Sequence, residues 1–150
     1  MKIRFRLAWA KGPAASKHFK AESCYLLFSE YLKRIGHFVQ AEGSGIDLKK
    51  EEGGKPVRWF CHFSKEAKTF SSEELARAVE RLRRDGTKEW EIVIGPADGF
   101  KGEDLAAWRP DVLWSFGPMT LPHELACVVA AEQVYRAFTI LAGQPYHSGH

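Results

Sequence analysis

Strand-like and helix-like segments take turns along this chain, and that order leaves few folds open. Residues 2–7, Lys2-Ile3-Arg4-Phe5-Arg6-Leu7, alternate charge with apolar side chains, the two-residue period of a strand expected over 2–9. VRWFCHF at 57–63 reads as a buried strand, EWEIVI at 89–94 as a strand stopping at Gly95, and shorter strands are expected at 37–41 and 111–116. Residues 16–35 carry Phe19, Tyr25, Phe28, Leu32 and Ile35 at mixed three- and four-residue steps, which predicts an amphipathic helix stopped by Gly36. Ser71-Ser72-Glu73-Glu74 opens a second helix, because a Ser before first-turn acids caps it, and Arg83-Arg84 before Gly86 close it. A short helix is expected at about 101–108, and Pro122 suits the first turn of a last helix reaching about Ala142. The Gly-, Lys- and Glu-rich stretch from Glu42 to Pro56 reads as the mobile loop. Such alternation predicts an α/β fold with a mainly parallel sheet, in one domain of 150 residues.

Composition narrows the class further. Hydrophobic residues make up 45% and charged residues 27%, as in ordinary globular proteins. No apolar run approaches the roughly 20 residues that span a bilayer, and the alternating start is not a signal peptide. A cytoplasmic protein with no membrane partner is therefore expected. Cys24, Cys61 and Cys127 are odd in number, lack CxxC spacing and sit among apolar residues, so they read as core thiols, with no metal site. Charge is uneven: residues 1–36 hold eight Lys and Arg against Glu22 and Glu30, which suits either a polyanion or a solvated helix face.

In an open α/β sheet, ligands sit beyond the carboxyl ends of the strands. Two loops there stand out. Gly95-Pro96-Ala97-Asp98-Gly99 follows a strand; it is neither GxGxxG nor a P-loop, and its glycines would allow backbone to approach a ligand, or simply turn the chain. Phe116 to His123, with Gly117, Pro118 and Pro122, is a stiff loop that can offer N–H and C=O groups to a flat heterocycle or serve as a connector. The last helix is apolar nearly all round, which predicts burial on several sides and a subunit interface. Its polar strip is Glu132, Arg136 and Thr139, and beyond it Gly143 and Pro145 set up Tyr146 and His147 at the end of the chain.

Thr120-Leu121-Pro122-His123, Glu132-Gln133-Val134-Tyr135-Arg136-Ala137 and Pro145-Tyr146-His147, at this spacing, resemble the RlmH family, large-subunit ribosomal RNA methyltransferases of the SPOUT superfamily. The match is strong over about 90–147; the MKI start and Tyr31-Leu32-Lys33-Arg34 match weakly. The resemblance implies a single SPOUT methyltransferase domain, its C-terminal part tied in a deep trefoil knot over about 90–147. It also implies a homodimer, S-adenosylmethionine as cofactor, and methylation of N3 of a pseudouridine in helix 69 of 23S rRNA on the assembled 70S ribosome. Carried over residue by residue, the cofactor contacts fall on Cys61, on Gly95, and on Phe116, Gly117, Pro118, Met119, Thr120 and Leu121. The sequence departs from the family where Gly95-Pro96 replaces Gly-Gly, a change that removes an N–H donor. It departs again where Cys61-His62-Phe63-Ser64 replaces an acidic residue and a Gly-Lys turn.

Methylating a base imide requires an aligned methyl donor, departure of the N–H proton, and donors for the charge that builds on the flanking carbonyls. Arg136 is the candidate for that positive field or for a phosphate grip, His147 or His123 for the proton, and Tyr146 for stacking on a base. Two other readings stay open at this point: a SPOUT-fold RNA-binding protein that has lost methyl transfer, and a SPOUT methyltransferase with a different RNA target.

Overall fold

A computed structural model describes residues 1–10, 18–96 and 98–148. Its six strands are β1 (Lys2–Leu7), β2 (Gln40–Gly45), β3 (Val57–Cys61), β4 (Lys68–Thr69), β5 (Glu89–Ile94) and β6 (Val112–Ser115). They form one sheet in the order β2-β1-β5-β3-β6-β4, and neighbouring strands in it run parallel. The helices are α1 (Glu22–Ile35), α2 (Ser72–Arg84), α3 (Gly102–Trp108) and α4 (His123–Leu141). The α/β class with a parallel sheet expected from the alternation is therefore observed.

The two-residue period explains the layering. Ile3, Phe5 and Leu7 of β1, Trp90, Ile92 and Ile94 of β5 and Trp59 of β3 enter the main core, together with Phe28, Val79, Val134 and Phe138 from the helices. Phe5 meets Phe28 edge-on with centroids 5.7 Å apart, and each such buried ring stabilises by about 1.5–3 kcal/mol. Phe60 and Val93 point to the opposite face, where a smaller core forms with Ile46 and Phe100. That face also holds a charged cluster. Glu91, only 1% exposed, accepts from Arg6 at 2.7 Å, Arg58 at 2.8 Å and Arg4 at 3.2 Å.

Several expectations need correcting. The first helix begins at Glu22 rather than 16; residues 16 and 17 lie outside the described residues. Ala21, at its N-cap, has no capping side chain. The Glu124 carboxylate on α4 instead accepts from the amides of Lys20 at 3.0 Å and Ala21 at 2.9 Å. Gly36 keeps right-handed backbone, φ −57° and ψ −18°, so the helix does not end by a left-handed glycine. Part of the expected loop is strand: β2 runs over Gln40–Gly45. Its glycine has a packing reason, since a Cβ on Gly43 would sit 2.7 Å from the Phe28 ring. The rest of the loop is tied down. Glu52 bonds Arg6 through both oxygens at 2.8 Å, and the Leu48 carbonyl accepts from the Trp108 indole at 2.9 Å. Strand β4 was not foreseen, and Pro122 lies at the N-cap of α4 rather than inside it.

The girth of α4 is accounted for within one chain. It packs against both α1 and α2, so Cys127, Ala130, Ala131, Val134, Ala137 and Phe138 are buried without a second subunit. Its polar strip is also partly internal: Thr139 is buried and donates to the Arg136 carbonyl at 2.7 Å.

Candidate functional site

Strands β3, β5 and β6 are adjacent and parallel, so their carboxyl ends open on one side of the sheet. A cleft of about 300 Å³ lies there, at the lower end of the range for small-molecule sites. Among its walls are Cys61, Gly95, Phe116, Gly117, Met119, Thr120 and Leu121. All the cofactor candidates except Pro118 thus meet in one place, contributed by three loops. His123, proposed for proton transfer, also lines this cleft.

Local geometry explains how the loops are held. Gly117 has φ +107°, a conformation costly for other residues, and its amide donates to the Ser115 hydroxyl at 3.2 Å. Among the described residues, no hydrogen-bond partner is found for the amides of Met119, Thr120 and Leu121. A run of unpaired donors beside a concave surface suits a ligand with polar groups. Gly95, in the cleft wall, also has a packing reason to be bare. A Cβ there would meet the Phe100 ring at 3.1 Å, so its bareness makes room for packing beneath the loop. Pro96 lines the cleft without an N–H to offer; Ala97 lies outside the described residues.

His62 and Phe63, marked in the sequence only as a departure from the family, and Asp98 of the 95–99 loop complete the cleft. Burial lowers the His62 pKa below the ordinary imidazole value, Glu66 opposing weakly. Burial alone pushes the Cys61 thiol far up, and burial first raises Cys127. Both thiols are therefore protonated and poor nucleophiles, as the sequence suggested. His123 is positioned by its neighbours, its ring 4.5 Å from that of Trp9 and its Nε2 3.8 Å from Glu124 Oε2.

Arg136, Tyr146 and His147 come together elsewhere, around Glu132. Arg136 donates to Glu132 through Nε at 3.2 Å and Nη2 at 3.0 Å. The Tyr146 hydroxyl donates to the same carboxylate at 3.0 Å, and the guanidinium lies 4.8 Å from the Tyr146 ring. Hydrogen bonding to Glu132 raises the Arg136 pKa, burial opposing. Burial, then contact with Tyr31 and Glu132, pushes the Tyr146 phenol up.

His147 sits between two partners. Its Nδ1 is 3.1 Å from Arg136 Nη1 and its Nε2 2.7 Å from Glu73 Oε1. A guanidinium has only donors, so Nδ1 must accept and Nε2 must carry the proton toward Glu73. The hydrogen bond from His147 is the first cause holding the Glu73 carboxyl below its usual range. Glu73 was legible only as a first-turn acid; nothing in the sequence linked it to a residue 74 positions away. The tail thus returns to the start of α2. None of Arg136, Tyr146 and His147 lines the cleft.

Comparison with known proteins adds a second line. A family model described as "Predicted SPOUT methyltransferase" matches residues 15–147. The Ribosomal RNA large subunit methyltransferase H of Koribacter versatilis is 40% identical over 137 residues, 87% of this chain and 92% of its own. The protein of that name from Maricaulis maris is 45% identical over 121 residues, 75% of this chain and 76% of its own. The one from Xanthomonas oryzae pv. oryzae is 33% identical over 138 residues, covering 80% and 86%.

Proposed function

The chain belongs to the SPOUT methyltransferase family, in its ribosomal RNA large subunit methyltransferase H branch, and from that premise we propose its reaction. It is a methyltransferase of large-subunit ribosomal RNA that uses S-adenosylmethionine. Its target is N3 of a pseudouridine in helix 69 of 23S rRNA, on the assembled 70S ribosome in the cytoplasm. The chain acts as one domain, a homodimer with its C-terminal part knotted over about 90–147. Among the described residues no helix is long and apolar enough to cross a membrane, and no cluster suits a metal.

The observation that carries this reading is the cleft, where three loops from neighbouring strand ends meet beside the unpaired amides of Met119, Thr120 and Leu121. S-adenosylmethionine, when bound, supplies an electrophilic methyl group. Those amides suit its polar groups, and Cys61, Gly95 and Leu121 form the surrounding wall. His123 is the better placed histidine for the departing proton, since it lines the cleft while both nitrogens of His147 are engaged. Arg136 supplies positive charge to the RNA from its place beside Glu132, and His147 orients it. Tyr146 supports that guanidinium with its ring. Leu26, Leu27 and Leu125 are exposed apolar residues near the joined starts of α1 and α4, and they suit the dimer face.

The test supplies purified protein and labelled cofactor to ribosomes lacking the mark. Wild type should label 23S rRNA, and Arg136→Ala and His123→Ala should each slow it by on the order of 10²-fold. Wild-type rates from both variants would refute the assigned roles. Pro96 favours one second reading, a SPOUT-fold RNA-binding protein without methyl transfer, because it removes a donor from the cleft wall. Calorimetry separates the two, since that protein would bind no cofactor even at high concentration.

A further inference from the structure

Among the described residues, Leu26, Leu27, Phe63, Met119 and Leu125 are large apolar side chains left exposed. The leucines lie near the joined starts of α1 and α4, but Phe63 and Met119 both line the cofactor cleft. These two are also the most open of the group, Phe63 at 60% and Met119 at 71% exposed. They reach the cleft from neighbouring strands. Cys61 of β3 pairs with Trp114 of β6, and the His62 amide carries the ladder one step further by donating to the Trp114 carbonyl at 2.9 Å. Phe63 and Met119 follow on the two loops that leave those strand ends. The mouth of the cleft therefore offers solvent a phenyl ring and a thioether.

We propose that Phe63 and Met119 receive the flat ring of the acceptor nucleotide, drawn out of its RNA helix, and hold it at the mouth of the cleft against the cofactor's methyl group. The inference rests on the reading of the chain as a ribosomal RNA methyltransferase. Transfer needs the acceptor nitrogen within about 3–3.5 Å of the methyl carbon. A cofactor lying in the cleft leaves the base its mouth, where these two side chains stand. Enzymes that act on a base take it out of its stack, and an aromatic face restores part of the stacking that is lost. A methionine side chain adapts to the ring it meets. His123 lines the same cleft, so a base held here can meet the imidazole assigned to its proton. The surroundings favour RNA over a second subunit. Lys65, Glu66 and Lys68 follow Phe63 and are exposed. Subunit interfaces are poor in Lys and Glu, whereas lysines beside an aromatic suit the phosphates that flank a stacked base.

Two variants at one position test this on ribosomes lacking the mark. Phe63→Leu keeps apolar bulk and loses the flat face, and it should lower kcat/KM for ribosomes by on the order of 10-fold. Phe63→Trp restores a flat face and should recover most of that loss. The Kd for S-adenosylmethionine, read by calorimetry, should be the same in wild type and Phe63→Leu. Wild-type kinetics in Phe63→Leu, or an equal loss in both variants, would overturn the assignment. Weakened cofactor binding in Phe63→Leu would also overturn it, by making the ring part of the cofactor's own wall. A change of oligomeric state in that variant by light scattering would do the same, by giving the ring to a subunit contact. Failure of wild type to label any ribosomal RNA would instead sink the reading beneath.

Discussion

Arg136 Nη1 points at His147 Nδ1 from 3.1 Å, and that contact decides which proton the imidazole can carry. The ring should exist as the Nε2–H tautomer, and long-range ¹H–¹⁵N spectra of His147 should show it. An Nδ1–H pattern would mean the tail is held some other way, and Arg136→Ala should release the constraint. Glu91 is a second residue defined by its neighbours. Three arginines converge on its one carboxylate, and removing one partner of a buried ion cluster leaves charge uncompensated. Glu91→Gln should cost about 3 kcal/mol in chemical denaturation, and a loss near zero would show that the cluster rearranges around the amide. Neither feature could be read in sequence. His147 stood out there by its place beyond Gly143 and Pro145 and through family resemblance, with no sign of its partners, and Glu91 was one of two acids in a strand pattern.

Strand β2 and the segment after it show why elements were legible to different degrees. Helix α2 declared itself because its capping box is local, Ser71 and Glu74 bonding each other's amides at 3.0 and 2.9 Å. β5 stood out through Trp90, Ile92, Val93 and Ile94 running up to Gly95. β2, expected at 37–41, lies at 40–45 because QAEGSG has a loop's composition, and its reason to be a strand is pairing with β1 and contact with α1, both set by distant residues. Gly43→Val should therefore destabilise by about 1–3 kcal/mol through the clash with Phe28, read as a lowered melting temperature. An unchanged melt would show that Phe28 moves aside freely. The segment 46–56 should respond to acid. Hydrogen bonding to Arg6, against burial, lowers the Glu52 pKa. A carboxyl so lowered adds stability above its ordinary range and loses it as pH falls through the depressed value. Hydrogen-exchange protection factors in 46–56, which are corrected for the slower intrinsic exchange in acid, should fall on acidification, and in Glu52→Gln they should be low already at neutral pH. Equal rates in the two proteins would mean that the ion pair does not hold the strap.

At the scale of the molecule, the site was half legible. Strand ends in a parallel sheet gather loops by topology alone, so Cys61, Gly95 and the 116–121 loop could be expected to converge. The separation of Arg136, Tyr146 and His147 from that cleft could not, because it follows from where α2 lies against α4. Much of the apolar girth of α4 is covered by two helices of the same chain, which leaves Leu125 near its start exposed. The proposed dimer then depends on the exposed residues Leu26, Leu27 and Leu125, and Leu27→Asp should convert it to a monomer in light scattering. A dimer that persists would move the interface away from α1.

Glu124 ties the amides of Lys20 and Ala21 across more than a hundred positions of sequence, and this sets a schedule for synthesis. Domains usually begin to fold while the chain is still emerging. Here the start of the first helix waits for a carboxylate on the last one, and β1 waits for β5, its partner in the middle of the sheet. The nascent chain holds β1 and α1 with half their neighbours unmade until α4 leaves the ribosome. The native packing at the start of α1 thus forms only after α4 has been made, and a truncated chain ending before α4 lacks the means to hold its own beginning.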